Sequence, residues 1–228
     1  MQNLILIRHG QSLWNKEKRF TGWADIDLTE KGKLEAGKAG HLVKNLNIDF
    51  DICFTSSLKR AQNTLKIILK ILNKKNIKIV KAAELNERHY GGLTSLNKDE
   101  TIKKFGLKQV QTWRRSFDAP PPPMDKQHLY KNKINSNVSS ESLKDTFNRV
   151  VPFFKKEIEP QLIRKKNVLI TFHGNSCRAL LMKIFNISKK KIIKLEVPTG
   201  NPLLIKFDNN LKINEYKYLD QNRSKKII

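Results

Sequence analysis

Leu4-Ile5-Leu6-Ile7-Arg8-His9-Gly10 sets a short apolar run directly against a basic residue, an imidazole and a turn residue. A run of that length, ended by glycine, reads as a buried strand. Arg8 and His9 then fall at its carboxyl end, the edge where open α/β sheets bind ligands. The same arrangement recurs at Val168-Leu169-Ile170-Thr171-Phe172-His173-Gly174-Asn175. Two strand-end histidines, each followed by glycine, point to a shared site between two strands. A histidine held beside an arginine can attack a phosphoryl group while the guanidinium holds the phosphate oxygens.

Outward from these two strands, apolar runs alternate with helical periodicity. A helix is expected over 31–46 with Thr29 as its cap, a strand over 51–55, a strong helix over 58–72 and a strand over 77–80. Short helices broken at Gly106 fit 101–113. Residues 117–137 contain four consecutive prolines, Pro120 to Pro123, and then a polar stretch rich in Lys and Asn. Such a segment is neither helix nor central strand and reads as an inserted lid loop. A helix over 141–163 follows, with Ser140 as a candidate cap and Pro152 as a candidate kink. After the second histidine strand come a helix over 176–185 and a hairpin of 202–207 with 213–218, turning at Asp208-Asn209-Asn210. A short basic tail at 221–228 is expected to fray. Strands alternating with helices predict a three-layer α/β/α sandwich with a mostly parallel sheet, one domain over 1–228.

The formal net charge is +24, from 45 basic and 21 acidic residues. Nucleic acid is one partner such a charge would fit, and a lysine-rich solvated surface is the other reading. Basic residues spread along the chain and only 8% aromatics favour the surface. Small anionic substrates gain from the field in either case. No stretch approaches the roughly 20 apolar residues of a membrane span. The lack of a signal-peptide pattern and of a cysteine framework predicts a cytoplasmic protein. The five histidines, His9, His41, His89, His128 and His173, lie at no metal-ligand spacing, so no metal is expected.

Further polar clusters follow the other strands. Gln11, Ser12, Asn15 and Thr21 with Gly10 and Gly22 offer neutral hydrogen bonds and close backbone approach beside the first histidine. Arg60 sits in the first turn of its helix, where the helix dipole does not favour a cation; a bound anion is one reason for it. Leu85-Asn86-Glu87-Arg88-His89-Tyr90-Gly91 places a carboxyl among basic and phenolic groups, a candidate for general acid–base work or an ordinary loop ion pair. Trp113-Arg114-Arg115 presents two guanidinium groups side by side, matched to carboxylate or phosphate, with Lys98 as a further cation.

LIRHGQSLWNKEKRFTGWADIDLTEKG, TSSLKRAQNT, LNERHYGGLTSLNK, WRRSF with the proline run, SESLKDTFNRVVPFF, HGNSCRAL and VPTGNPLLIKFD occur in one order along most of the chain. Together these segments resemble the histidine phosphatase superfamily. NERHYG and WRR resemble its cofactor-dependent phosphoglycerate mutase branch. That resemblance implies interconversion of 3-phosphoglycerate and 2-phosphoglycerate, primed by 2,3-bisphosphoglycerate and without a metal. It assigns the nucleophile to His9, the surround of the transferring phosphoryl group to Arg8, Arg60 and His173, and proton transfer to Glu87. Gly10, Gln11, Ser12, Asn15, Thr21, Gly22, Gly174 and Asn175 would line the pocket. Arg88, His89, Tyr90, Lys98, Arg114 and Arg115 would complete substrate binding, the last three with Tyr90 on the carboxylate and distal phosphate. It also implies a homodimer with no nucleic-acid or membrane partner. The alternative on the same scaffold is a broad phosphatase of small phosphomonoesters, which needs no second anion grip.

Two segments depart from the branch pattern. The stretch between the prolines and Glu141 is short, and Ser139-Ser140-Glu141-Ser142 stands where Pro-x-Thr-Glu-Ser is usual. The chain also ends soon after Tyr218-Leu219-Asp220, where relatives carry a longer tail. Both departures bear on how the site closes, and so on water as a competing acceptor.

Overall fold

The computed structural model describes residues 2–134 and 136–227. Met1, Asn135 in the expected lid loop and Ile228 in the expected tail lie outside the described residues. Six strands form one sheet: β1 (Gln2–Arg8), β2 (Ile52–Ser56), β3 (Lys78–Ala82), β4 (Val168–Phe172), β5 (Leu203–Phe207) and β6 (Ile213–Tyr218), in the order β3-β2-β4-β1-β5-β6. The β3–β2, β2–β4 and β4–β1 pairs are parallel; β1–β5 and β5–β6 are antiparallel. The late hairpin therefore extends a parallel sheet with an antiparallel edge, as its two-strand pattern predicts.

Nine helices occur among the described residues: α1 (Leu13–Lys16), α2 (Glu30–Lys44), α3 (Lys59–Ile71), α4 (Lys98–Phe105), α5 (Leu107–Arg115), α6 (Leu143–Phe153), α7 (Glu159–Ile163), α8 (Gly174–Ile184) and α9 (Lys189–Ile192). Successive strand residues point to opposite faces, and the core divides accordingly. Ile5, Ile7, Cys53 and Leu169 pack on one face against Ala39 and Val43 of α2 and Leu65, Ile68 and Leu69 of α3. Leu4, Leu6, Phe54, Ile170 and Phe172 pack on the other with Leu143, Val150, Ala179, Leu180 and Leu181 of α6 and α8. This is the three-layer sandwich read from the strand and helix periods.

Thr29 caps α2 as expected, its side chain accepting from the Gly32 amide at 3.1 Å. The cap of α6 is Ser142, not Ser140. Ser142 and Asp145 form a reciprocal box, Asp145 N donating to Ser142 Oγ and Ser142 N to Asp145 Oδ2. The chain cannot turn helical two residues earlier because Glu141 is drawn inward to an ion pair with Arg149. Pro152 stays inside α6, and a π turn at Phe154–Ile158 carries the chain between it and Pro160. Each proline withholds an amide from the helical ladder, and a wider turn accommodates that loss.

The stretch 117–134 has no helix or strand, as the prolines dictate, yet it is firmly packed. Met124 and Ile134 are buried with Trp14 and Ala24. Tyr130 sets its edge on Trp14, and Pro122 O accepts the Gly92 amide at 2.8 Å. Over 221–227 the tail makes contacts with the body of the fold. Arg223 pairs with buried Asp220 and donates to Thr199 O, and Ile227 is buried. Interior contacts override the polar composition that predicted a loose end.

Candidate active site

The parallel register sets Arg8 beside Phe172, and His9 N continues the ladder by donating to Phe172 O at 3.0 Å. His9 and His173, the next residues on adjacent strands, come to 4.9 Å between ring centroids. Gly10 makes this possible on the chain's outer side. A Cβ there would lie 2.1 Å from the carbonyl oxygen of Gly32 in the first turn of α2, so only glycine fits.

His9 is fully enclosed, and its Nδ1 lies 2.7 Å from the Gly10 carbonyl oxygen. A carbonyl only accepts, so the proton sits on Nδ1 and the lone pair on Nε2. Arg60 Nε donates to that Nε2 at 3.3 Å. Burial, then Arg60 and Arg8, hold the His9 imidazole well below its usual pKa. The ring is therefore a neutral base with Nε2 available. His173 is likewise held well below the usual range by burial first and then Arg60 and His9. Its Nε2 is 2.7 Å from Ser56 Oγ, and its buried Nδ1 has no protein partner.

Arg60, from the first turn of α3, is buried and donates to Gly22 O and Ala24 O at 2.8 and 2.9 Å. Its pKa is lowered by that burial to about 10, which still leaves it charged at neutral pH. Gly22 holds φ +54°, and a Cβ there would meet Tyr90 N at 3.0 Å. Arg8 Nη1 donates to Val197 O at 2.8 Å, leaving its buried Nε without a protein partner.

Glu87 follows the edge strand β3 and a single 3-10 turn, Ala83–Leu85. Its Oε1 accepts from Arg88 N at 2.8 Å and from Asn175 N at 3.1 Å, the latter at the start of α8. Asn175 Nδ2 donates to Tyr90 OH at 3.3 Å, while its Oδ1 accepts from Arg178 Nη1 at 2.9 Å. Tyr90 thus faces the same space as Glu87. Burial pushes its phenol up, but Arg88 and Lys98 outweigh this and the net shift is downward. Burial lowers Lys98 and Arg114, and takes Arg178 to about 9.

These groups enclose a cavity of about 340 Å³, a size suited to a small molecule. Eight of its lining residues are cationic side chains against two carboxylates, Glu87 and Glu196. Of the residues singled out in the sequence, Arg8, His9, Asn15, Thr21, Gly22, Arg60, Glu87, Tyr90, Lys98, Arg114, Arg115, Gly174 and Asn175 line it. Gly10, Gln11, Ser12, Arg88, His89 and His173 do not. Ser12 instead caps α1 and fixes Asn15, each amide donating to the other's side chain. Gln11 accepts from Thr29 Oγ1.

Arg88 and His89 correct the expectation of direct substrate contact. Both side chains turn away from the cavity, Arg88 against the Tyr90 ring and His89 against Trp23. Arg88 is wholly buried, donates to Arg114 O and lies 4.8 Å over the Tyr90 ring. His89 Nδ1 accepts from Gly91 N, and its ring sets its edge on Trp23. Burial takes its pKa down to about 4.

Arg19, Arg178, Lys225 and the stretch 195–199 line the cavity without having been singled out. Arg178 lies three residues after Asn175 on α8, a helical spacing that sets both on one face. Lys225 carries no signal in its sequence. No residue of 117–134 lines the cavity; Met124, Tyr130 and Ile134 of that loop pack instead with Trp14, Trp23 and Ala24.

Among the described residues no three His, Cys, Asp or Glu side chains are grouped to hold a metal, and no helix is long and apolar enough to cross a membrane. The histidine phosphatase superfamily (branch 1) profile matches residues 4–215. A 2,3-bisphosphoglycerate-dependent phosphoglycerate mutase of Pelagibacter ubique is 49% identical, covering 100% of this chain and 99% of that one. One from Treponema denticola is 48% identical over 96% of this chain and 93% of its own. Among solved structures, Bacillus stearothermophilus YhfR aligns with a TM-score of 0.74 at 22% identity, covering 94% and 95% of the two chains. The alpha-ribazole phosphatase of Shigella flexneri gives 0.70 at 20%, covering 92% and 93%. These two share the fold.

Proposed function

The chain belongs to the histidine phosphatase superfamily, branch 1, and from that premise we propose that it interconverts 3-phosphoglycerate and 2-phosphoglycerate through a phosphohistidine at position 9. The relatives bearing that activity in their names match almost end to end at nearly half identity. The observation that carries the reading is the pairing of two cation groups in one cavity. Arg8 and Arg60 surround His9, while Lys98, Arg114 and Arg115 supply a second grip. A phosphomonoesterase needs the first group alone; a substrate with both a phosphate and a carboxylate uses both.

The buried nitrogens Arg8 Nε and Arg178 Nε, each without a protein partner, are donors of the kind phosphate and carboxylate oxygens satisfy. The residues present therefore fit 2,3-bisphosphoglycerate. When bound, it supplies the phosphoryl group that primes the enzyme. His9 Nε2 uses its lone pair to form the N–P bond. Arg8 and Arg60 hold the equatorial oxygens as charge spreads over them. Glu87, anchored through Oε1, gives the proton to the departing oxygen through Oε2 and recovers it from the attacking hydroxyl in the reverse step. His173, off the cavity lining, backs the His9 ring at 4.9 Å between centroids. Gly174 and Asn175 close the wall next to Glu87.

The chain is taken as one catalytic domain, with 117–137 an insertion beside the site and 221–228 a tail that brings Lys225 to its rim. A homodimeric cytoplasmic enzyme without a nucleic-acid partner is the setting the family carries over. One observation favours the second reading, hydrolysis of small phosphomonoesters: among the described residues the insertion contributes none to the cavity lining, and a site left open admits water to the phosphohistidine.

A coupled assay of 3-phosphoglycerate conversion tests the proposal, run with and without catalytic 2,3-bisphosphoglycerate and with EDTA. Conversion that depends on the primer and ignores EDTA is expected. Full conversion by dephosphorylated protein without primer would overturn the phosphohistidine route.

A further inference from the structure

Arg149, on α6, stands outside the cavity lining, yet every hydrogen on its guanidinium is committed to one task. Nη1 donates to Glu84 O at 2.6 Å and Asn86 O at 3.0 Å. Nη2 donates to Glu87 O at 3.0 Å and Glu141 Oε2 at 2.9 Å, and Nε to Glu141 Oε1 at 2.6 Å. Glu141 Oε2 also accepts the His89 amide at 2.8 Å. The Trp23 indole donates to Glu87 O as well, and Arg149 lies 5.7 Å over its ring. Between the 3-10 turns at Ala83–Leu85 and Gly91–Leu93 the chain has no secondary structure of its own. Its carbonyls at 86 and 87 and its amide at 89, with the carbonyl of Glu84 in the first turn, are satisfied by these two side chains instead. Buried charge pairs of this geometry are weak sources of stability but strong sources of a fixed conformation when every partner is satisfied.

We infer that Arg149 and Glu141 are positioning residues that clamp the segment 84–89 so that the Glu87 carboxyl meets the oxygen it protonates. The inference rests on the proton-transfer role proposed above for Glu87. A misplacement of about 1 Å is enough to cost on the order of 100-fold in a positioned step. The loss must fall on donors whose leaving oxygen needs a proton and spare those whose leaving oxygen does not.

The experiment is a rapid-mixing measurement of His9 phosphorylation in Arg149→Lys, Arg149→Met and Glu141→Gln. One donor is 2,3-bisphosphoglycerate, an alkyl phosphate. The other is p-nitrophenyl phosphate, whose burst of p-nitrophenolate needs no acid. Arg149→Met is expected to slow the alkyl donor by about 30-fold or more while changing the nitrophenyl burst by less than about threefold. Arg149→Lys and Glu141→Gln are expected to fall between it and the parent. Equal losses on both donors, or no loss on either, would overturn the inference. If Arg149→Met does not fold, the two conservative variants decide by the same ratio. Glu87→Gln is the reference: if it too fails to separate the donors, the assignment of Glu87 has failed and not the clamp.

Discussion

Three histidines enclosed and neutral make the folded chain sensitive to mild acid. His9, His89 and His173 are each at most 2% exposed, and burial is the largest cause of depression in all three. A group whose folded pKa lies below its unfolded one lends its full stability above the unfolded value and loses it as pH falls towards the folded value. For His89 the window runs from 6.5 to about 4, which amounts to about 3 kcal/mol lost across it. His9 and His173 are also held well below the usual range by burial, so all three remain neutral in the fold through the upper part of that window. Each proton taken up only on unfolding is worth about 1.4 kcal/mol per pH unit, so three together give about 4 kcal/mol per unit. Against a typical total of about 5–15 kcal/mol, a loss of that size per unit is a large fraction of the chain's stability. Urea titrations followed by tryptophan fluorescence between about pH 6 and about pH 5 read the slope directly. His89→Gln, which keeps an oxygen to accept from Gly91 N, is expected to remove about a third of it. The salt-bridged Asp220, lowered to about 2 by Lys38 and Arg223, gives way only below 3.8 and leaves this window clear. A parent slope corresponding to one proton or fewer, or a slope unchanged in His89→Gln, would refute the reasoning.

Two further perturbations test the site's geometry and charge. Gly174→Ala places its Cβ at 3.4 Å from Arg8 Nε and 3.6 Å from Glu87 Oε2, an ordinary contact that the fold accepts but that narrows the reacting space. Turnover is expected to fall at least about tenfold with unchanged melting temperature, whereas Gly10→Ala, facing the Gly32 carbonyl, is expected to lose about 1–3 kcal/mol or more in a thermal melt. Inorganic phosphate is expected to raise the unfolding free energy by about 2.7 kcal/mol at a hundred times its dissociation constant. Sodium chloride at matched ionic strength is the control, and equal effects of the two salts would show that no phosphate site exists.

The centre of the sheet was legible because β1, β2, β4 and β5 are short, mainly apolar runs, and the site because histidine and glycine stand at the same register of two of them. Thr29 was legible as a cap because nothing competes with it. Ser142 was not distinguishable from Ser140, since both precede the same periodic run; the choice is made by Glu141, whose partner Arg149 lies eight residues on and reveals itself only in three dimensions. Arg88 and His89 read as binding residues because composition marks a polar loop without saying which side chains face inward. Arg178 could have been found from its spacing to Asn175. The tail could not: its anchoring depends on Thr199 and Gly200, far off in the chain and reached only through backbone carbonyls.

Those carbonyls explain how so many cations share one small cavity. Buried guanidinium groups need partners, and carboxylates would supply them at the expense of the field that attracts an anion. In this chain the partners are chiefly backbone oxygens. Arg60 uses Gly22 O and Ala24 O, Arg8 uses Val197 O, and Arg178 uses Ile192 O with Arg115 O. A carbonyl dipole satisfies an N–H without cancelling the net charge behind it, so each arginine is fixed in place while its positive charge stays available. The two lining carboxylates are no exception in purpose. Glu87 is the carboxyl proposed above for proton transfer, and Glu196 meets Arg115 at the half-exposed rim, 3.2 Å away, where water screens the pair. The broad lysine excess on the surface is a different matter, spread and solvated. The site's own potential comes from a few arginines held by the backbone, an arrangement that suits the doubly anionic substrate proposed above.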